Sequence, residues 1–191
     1  MKLAAQEISL LQKKLSYLQD EGSYKKLFYH FYPALLSFCT AILDNKEDAQ
    51  EVASEVMLKV WTMGNDLNYV ENLTVYLFRA ARNKAYDALR KKSREISTVE
   101  ISDDSIQEYI IDGNSPESLY ARDELEQCLG KIVSALPTQA QLVYRLVKEQ
   151  GLSYRQVTEV LGISLNTVET HMRLALKKIR MALNAYLTEK K

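Results

Sequence analysis

Gly162 is the residue that most restricts what this chain can fold into, because it stands between two amphipathic patterns in GLSYRQVTEVLGISLNTVETHMRLALKKIR (151–180). Glycine accepts a left-handed backbone without steric cost, so a helix running into Gly162 ends there and the chain turns. Upstream, Ser153 stands where an N-cap belongs, and Gln156 three residues later completes a capping box. Val157, Val160 and Leu161 give that short helix one apolar side. Downstream, Ile163 fills the gap between two helices and Ser164 caps the next, with Thr167 and Val168 in its first turn. The spacing predicts a helix-turn-helix.

The second helix of the pair has two unlike faces. At about 100° per residue, Met172, Ala175, Leu176 and Ile179 fall with Val168 on a side that packs. Asn166, Thr170, Arg173 and Lys177 line the other side, where Glu169 is the one acid. A helical hairpin with a solvated face has the same outline, but these side chains can bond base edges and neutralise phosphates. Docked in a major groove, Ser164, Asn166, Thr167, Glu169, Thr170 and Arg173 would lie nearest the bases, and Lys177, Lys178 and Arg180 nearer phosphate. His171 falls at the rim of the packing stripe and is expected to be a packed histidine, neither ligand nor catalyst.

With 191 residues, 47% of them hydrophobic, the chain can bury the cores of two small domains. No apolar run reaches membrane-span length and the N-terminus lacks a signal-peptide layout, so a cytoplasmic protein without membrane insertion is expected. Cys39 and Cys128 have no CxxC or CxxH partner, and neither a metal site nor a disulfide nor a cofactor is expected. Formal neutrality conceals an asymmetry: residues 1–94 balance at +3, 95–134 at −8 and 135–191 at +5. Two mildly basic bodies separated by an acidic stretch suit a phosphate-bearing partner. The stretch from Ser93 to Glu117 breaks helical periodicity and mixes Ser, Asp, Gly, Asn and Pro116, as a connector does, with Tyr109, Ile110 and Ile111 docking part of it.

Three helical patterns precede the connector. In the first, Tyr24 to Leu43, the residues Leu27, Phe28, Phe31, Leu35, Phe38, Cys39 and Ile42 recur every three or four positions, and Pro33 should kink or split the helix. The second follows Asn45 as its cap and stacks Ala49, Val52, Ala53, Val56, Met57, Val60 and Trp61 on one stripe. Opposite, Glu47, Glu51, Ser54 and Glu55 surround Leu58, an acidic face with an apolar centre that suits a protein partner and that a solvated face with one stray leucine would also present. The third, about Leu73 to Lys92, has a basic, partly aromatic flank of Arg79, Arg82, Asn83, Tyr86, Arg90 and Lys91, with Lys92 and Arg94 beyond it. Arginines meet phosphates, and Tyr69, Tyr76 and Tyr86 offer flat faces to unstacked bases. A solvated face with core tyrosines, and Asp87 paired to Arg90, would give the same pattern.

In this order the pieces resemble the extracytoplasmic-function sigma factors of the sigma-70 family, bacterial initiation factors with only the second and fourth sigma regions. The resemblance rests on DNKEDAQEVASEVMLKVW (44–61), YLFRAARNKAYDALRKKSR (76–94) and LPTQAQLVYRLVKEQGLSYRQVTEVLGISLNTVETHMRLALKKIR (136–180). It implies that helix 46–62 holds core RNA polymerase through Glu47, Asp48, Glu51, Glu55 and Leu58. It further implies that the loop and helix 65–94 melt and hold the −10 element of promoter DNA, through Tyr69, Tyr76, Arg79, Arg82, Asn83, Tyr86, Asp87, Arg90 and Lys91. Asn83, Asp87 and Arg90 match the family's N-x-x-x-D-x-x-R pattern, Asp87 orienting its neighbours. The recognition helix would read the −35 element, and an inhibitory anti-sigma factor, often membrane-tethered in this family, is implied as a partner. Gln141, Thr158 and Tyr76 depart from the usual arginine, alanine and tryptophan; none removes a donor from the reading face.

The resulting expectation is an all-α chain of two small helical domains joined by an acidic linker, the C-terminal one a helix-turn-helix. Residues 1–23 form a helical N-terminal extension, 24–94 the region 2 domain, 95–117 the linker and 118–187 the region 4 domain. The function expected is initiation without catalysis, since the two histidines and two cysteines form no constellation and no Gly-rich phosphate loop occurs. The rival is a response-regulator type transcription factor, whose C-terminal helix-turn-helix TVETHMRLALKKI also resembles. Its receiver would alternate strands with helices, whereas residues 1–94 carry helical spacing throughout.

Overall fold

The computed structural model describes the backbone of residues 3–96 and 120–189 and the side chains of residues 3–93 and 127–186. The expected acidic linker therefore lies outside the described residues, apart from positions 95 and 96, and so do Tyr109, Ile110 and Ile111. Among the described residues eight α-helices follow in order: α1 (Ala5–Leu18), α2 (Glu21–Leu43), α3 (Lys46–Thr62), α4 (Leu73–Ile96), α5 (Tyr120–Ser134), α6 (Thr138–Tyr144), α7 (Tyr154–Leu161) and α8 (Leu165–Glu189). A 3₁₀ segment, Gly64–Tyr69, joins α3 to α4, and α6 runs into a π turn, Arg145–Glu149. No strand occurs among the described residues, which removes the ground for a receiver domain in the N-terminal half.

Helices α2, α3 and α4 close the first unit over Leu27, Phe31, Leu35, Phe38, Met57 and Phe78, all at most 1% exposed. Phe38 and Phe78 meet edge to face at 5.2 Å, the geometry their ring quadrupoles favour. Asp20 caps α2 by accepting the Ser23 amide at 2.7 Å, and the Ser23 hydroxyl and amide hold its carboxyl below the usual carboxylate range. Asn45 Oδ1 caps α3 by accepting the Asp48 amide at 2.8 Å, as the sequence requires.

Pro33 does not split the first pattern. Helix α2 continues through it from Glu21 to Leu43, because Phe31 and Leu35 anchor the helix in the core on both sides of the proline. Pro33 itself and Tyr29 four residues earlier are exposed, so water can meet the carbonyl that the ring leaves without a donor.

The second unit has a small core of Val133, Leu136, Ala140, Ala175 and Ile179 that joins α5, α6 and α8. Its other buried apolar residues face the first unit. Leu142, Leu146, Val157, Val160, Val168 and Met172 belong to one buried cluster with the core of α2 to α4, and α7 packs on α4 while α6 packs on α2. The two units are therefore seated on each other, with the helix-turn-helix against the flank of α4.

Candidate nucleic-acid interface

The turn of the helix-turn-helix is built from local bonds. Ser153 Oγ accepts the Gln156 amide at 3.3 Å while Gln156 Oε1 accepts the Ser153 amide at 2.9 Å, which starts α7. Gly162 stops it at φ 64°. Ser164 Oγ then accepts the Thr167 amide at 3.1 Å and shares a hydrogen bond with Thr167 Oγ1 at 2.8 Å, which fixes the mouth of α8.

Val168, Met172, Ala175 and Ile179 of α8 are buried, and Asn166, Glu169, Thr170, Arg173, Lys177, Lys178 and Arg180 are exposed. Thr167 is half-buried, and the Thr170 hydroxyl donates to the Asn166 carbonyl at 2.9 Å, so the free donors of this face belong to Asn166, Arg173 and the lysines. Asn and Arg are the side chains that bond adenine and guanine edges in pairs. Leu176 departs from expectation: it is 44% exposed. It lies about 80° around the helix from Val168, whereas Met172, Ala175 and Ile179 fall within about 40°, and the small unit does not wrap so far. His171 is half-buried, and its Nδ1 is buried with no partner among the described residues.

On α4, Arg79, Asn83, Asp87, Arg90 and Lys91 are exposed, and Tyr76, Arg82 and Tyr86 are half-buried. Asp87 is ion-paired with Arg90 one turn on, which places the guanidinium beside the stripe. Arg82 Nη1 donates to Asn83 Oδ1 at 3.2 Å, and the Arg82 guanidinium lies 5.4 Å from the Tyr86 ring centre. Arg82 and Tyr86 are also where the second unit sits: Gly162 abuts the Arg82 guanidinium, and Gln139 Nε2 donates to Tyr86 Oη at 3.4 Å. Tyr69 belongs to the 3₁₀ segment and is 82% exposed, separate from the α4 stripe.

The outer face of α3 presents Glu47, Glu51, Ser54 and Leu58, the last 57% exposed. Asp48 and Glu55 lean away from it toward α4, where Lys92 and Lys84 meet them, the former at 3.5 Å. These exposed pairs add little stability, but they occupy two of the acids assigned to the face.

Two features escaped the sequence reading. Tyr24, Phe28 and Tyr32 form a row at four-residue spacing on α2, with Phe28 and Tyr32 stacked at 4.7 Å and Tyr24 tilted onto Trp61 at 5.0 Å. This row borders the α3 face, with Tyr32 Oη 3.5 Å from Ser54 Oγ. Phe28 and Trp61, expected in core stripes, are instead half-buried in it. The i, i+4, i+8 aromatics beside the Leu27, Phe31, Leu35 stripe were the available signal. The second feature is the contact between α1, expected as a helical extension, and the 3₁₀ segment, whose backbone Gln12 and Ser16 hold. Among the described residues no three of His, Cys, Asp and Glu converge as a metal site would need, and no helix is long and apolar enough to cross a membrane.

Family models match the chain in two places: Sigma-70 region 2 over residues 27–95 and Sigma-70, region 4 over residues 126–179. Among curated relatives, the ECF RNA polymerase sigma factor RpoE of Cereibacter sphaeroides is 25% identical over 166 residues, spanning 85% of this chain and 87% of that protein. The RNA polymerase sigma-H factor of Pseudomonas aeruginosa is 23% identical over 175 residues, spanning 89% and 91%. Among solved structures, the sigma factor RpoE in complex with the anti-sigma factor NepR from Bartonella quintana shares the fold with a TM-score of 0.61 at 21% identity, over 84% of this chain and 96% of that one. CnrH in complex with the cytosolic domain of CnrY matches with a TM-score of 0.54 at 19% identity, over 94% and 98%. With both family regions in their proper order on an all-helical frame, this chain belongs to the sigma-70 family and is an RNA polymerase sigma factor of the extracytoplasmic-function type, directing promoter-specific transcription.

Proposed function

We propose that the two units divide promoter recognition between them, residues 24–94 taking the −10 element and residues 118–187 the −35 element. The observation that carries this reading is the exposed face of α8, where Asn166, Arg173 and Lys177 stand free opposite the buried Val168, Met172 and Ala175. A helix anchored on one side and offering paired donors on the other is what major-groove readout needs. Ser164, Thr167, Glu169 and Thr170 complete that face.

On the first unit, Arg79, Asn83 and Arg90 line one side of α4, with Tyr76, Arg82, Tyr86, Asp87 and Lys91 beside them and Tyr69 on the preceding segment. Cations neutralise the strand and tyrosines take bases that have left the stack, which offsets an unstacking cost on the order of a few kcal/mol per base. Core polymerase docks on the α3 face through Glu47, Glu51 and Leu58, with Asp48 and Glu55 at its α4 edge. Two modules on one polymerase then read promoter elements at a fixed spacing.

The chain contributes recognition and strand opening, and the polymerase contributes the chemistry. It works in the cytoplasm, where polymerase and template are. The RpoE structure contains the anti-sigma factor NepR and the CnrH structure the cytosolic domain of CnrY, and by that likeness an inhibitory protein partner is inferred here as well. Run-off transcription with purified core polymerase, with and without this chain, tests the reading. Initiation at discrete start sites that depends on the chain is the expected result; failure to bind core or to confer initiation on any template overturns it.

A further inference from the structure

We propose that α1 is a specificity element and that Gln12 is its positioning residue, holding the 64–70 segment in the one conformation in which its outward side chains read the −10 strand. This rests on the −10 reading of that segment given above. Glutamine is usually exposed, but Gln12 is 8% exposed and its amide nitrogen donates to two loop carbonyls, Leu67 O at 2.8 Å and Val70 O at 2.6 Å. One turn further along the same face, Ser16, 2% exposed, donates to Asn65 O at 3.3 Å. Both residues precede the region 2 match, which begins at residue 27.

The segment needs such a brace. Gly64 adopts φ 55°, and a single 3₁₀ stretch holds the backbone from Gly64 to Val70, where Leu67 O accepts the Val70 amide at 3.2 Å and Gln12 adds a second donor to it and one to Val70 O. Leu11 and Leu15 bury one side of α1 in the core, and Leu67 anchors the segment in the same cluster. Between those anchors, Gln12 and Ser16 bond the backbone from within while Asn65, Asp66, Asn68 and Tyr69 point outward, exposed. A backbone held from behind fixes where those four side chains stand, and fixed placement lets a site reject a wrong base rather than adapt to it.

The experiment uses the full chain with core polymerase on a promoter library randomised at the −10 and −35 windows, the transcripts being sequenced. Gln12→Met keeps the length of the side chain and removes its donor. The expected result is that the preference between best and next base at −10 positions narrows by about three- to tenfold, the worth of the lost hydrogen bonding. The −35 preferences and core affinity should stay as in the wild type. An unchanged −10 profile, or a uniform fall in transcription without a change in profile, shows a merely structural residue and overturns the proposal. Ser16→Ala should move the profile in the same direction by less, and it decides the matter if Gln12→Met does not fold. Tyr69→Ala separates the two levels: if it too leaves the −10 profile intact, the −10 reading of the segment fails. If it alters the profile while the α1 variants do not, only the brace fails.

Discussion

Gly162, which ends the first helix of the helix-turn-helix, lies against the Arg82 guanidinium so closely that a Cβ added to it would stand 3.0 Å from Arg82 Nη2. With Gln139 bonded to Tyr86, this contact covers two residues assigned to the −10 strand. A strand that uses them has to displace α7 from α4. Dyes on Lys25→Cys in α2 and Met181→Cys in α8, both exposed positions, in a Cys128→Ser background, should therefore report lower energy transfer in the promoter complex than in the free chain. Undiminished transfer during productive initiation would mean that the strand takes another path.

Arg173 is the exposed arginine on the α8 face proposed to read the −35 element, with no ion pair among the described residues. Replacing it by alanine should lower discrimination at one −35 base pair by about 1 to 3 kcal/mol, the worth of a bidentate base contact. Competition binding of the holoenzyme to single-base −35 variants measures this. A uniform weakening over all variants would assign Arg173 to phosphate instead.

What could be read from the sequence was what depends on near neighbours. Ser153 with Gln156, Ser164 with Thr167 and Asn45 with Asp48 are partners three residues apart, so the helix starts they make are written locally. Gly162 was legible as a helix stop, but a glycine at a helix end looks the same whether or not an arginine from another unit lies on it. The bonds of Gln12 span 55 and 58 residues, beyond any periodicity argument. Leu176 was misplaced because a helical wheel tells which side faces inward but not how far the neighbouring helices wrap around it.

Cys39 is fully buried, and burial pushes its thiol from 9.0 up to about 12. The folded chain keeps that thiol protonated and inert, whereas the unfolded chain ionises it near 9, so this group leaves stability unchanged below pH 9 and lowers it as pH rises from there toward 12. At pH 8 a thiol reagent should modify the half-buried Cys128 in the native protein and reach Cys39 only after denaturant is added. Peptide mapping of the alkylated chain checks it, and rapid native modification of Cys39 would show that the α2 core opens readily.

Leu58 sits on the outer α3 face, exposed, with Ser54, Glu51 and Glu47 one, two and three turns before it, and its helix is anchored by Val56, Met57 and Val60 on the buried side. On the docking proposed for this face, a charge at Leu58 would meet water in the free protein and an apolar contact in the polymerase complex. Leu58→Asp should unfold at nearly the same denaturant midpoint as the wild type, within about 0.5 kcal/mol for an exposed site. Its affinity for core should fall by at least about tenfold, as for a central apolar anchor replaced by a charge. Glu47→Ala, at the rim of the same face, should cost much less, because rim charges remain solvated in a complex. If Leu58→Asp binds core normally while Tyr32→Ala does not, the docking surface is centred on the aromatic row of α2 rather than on α3.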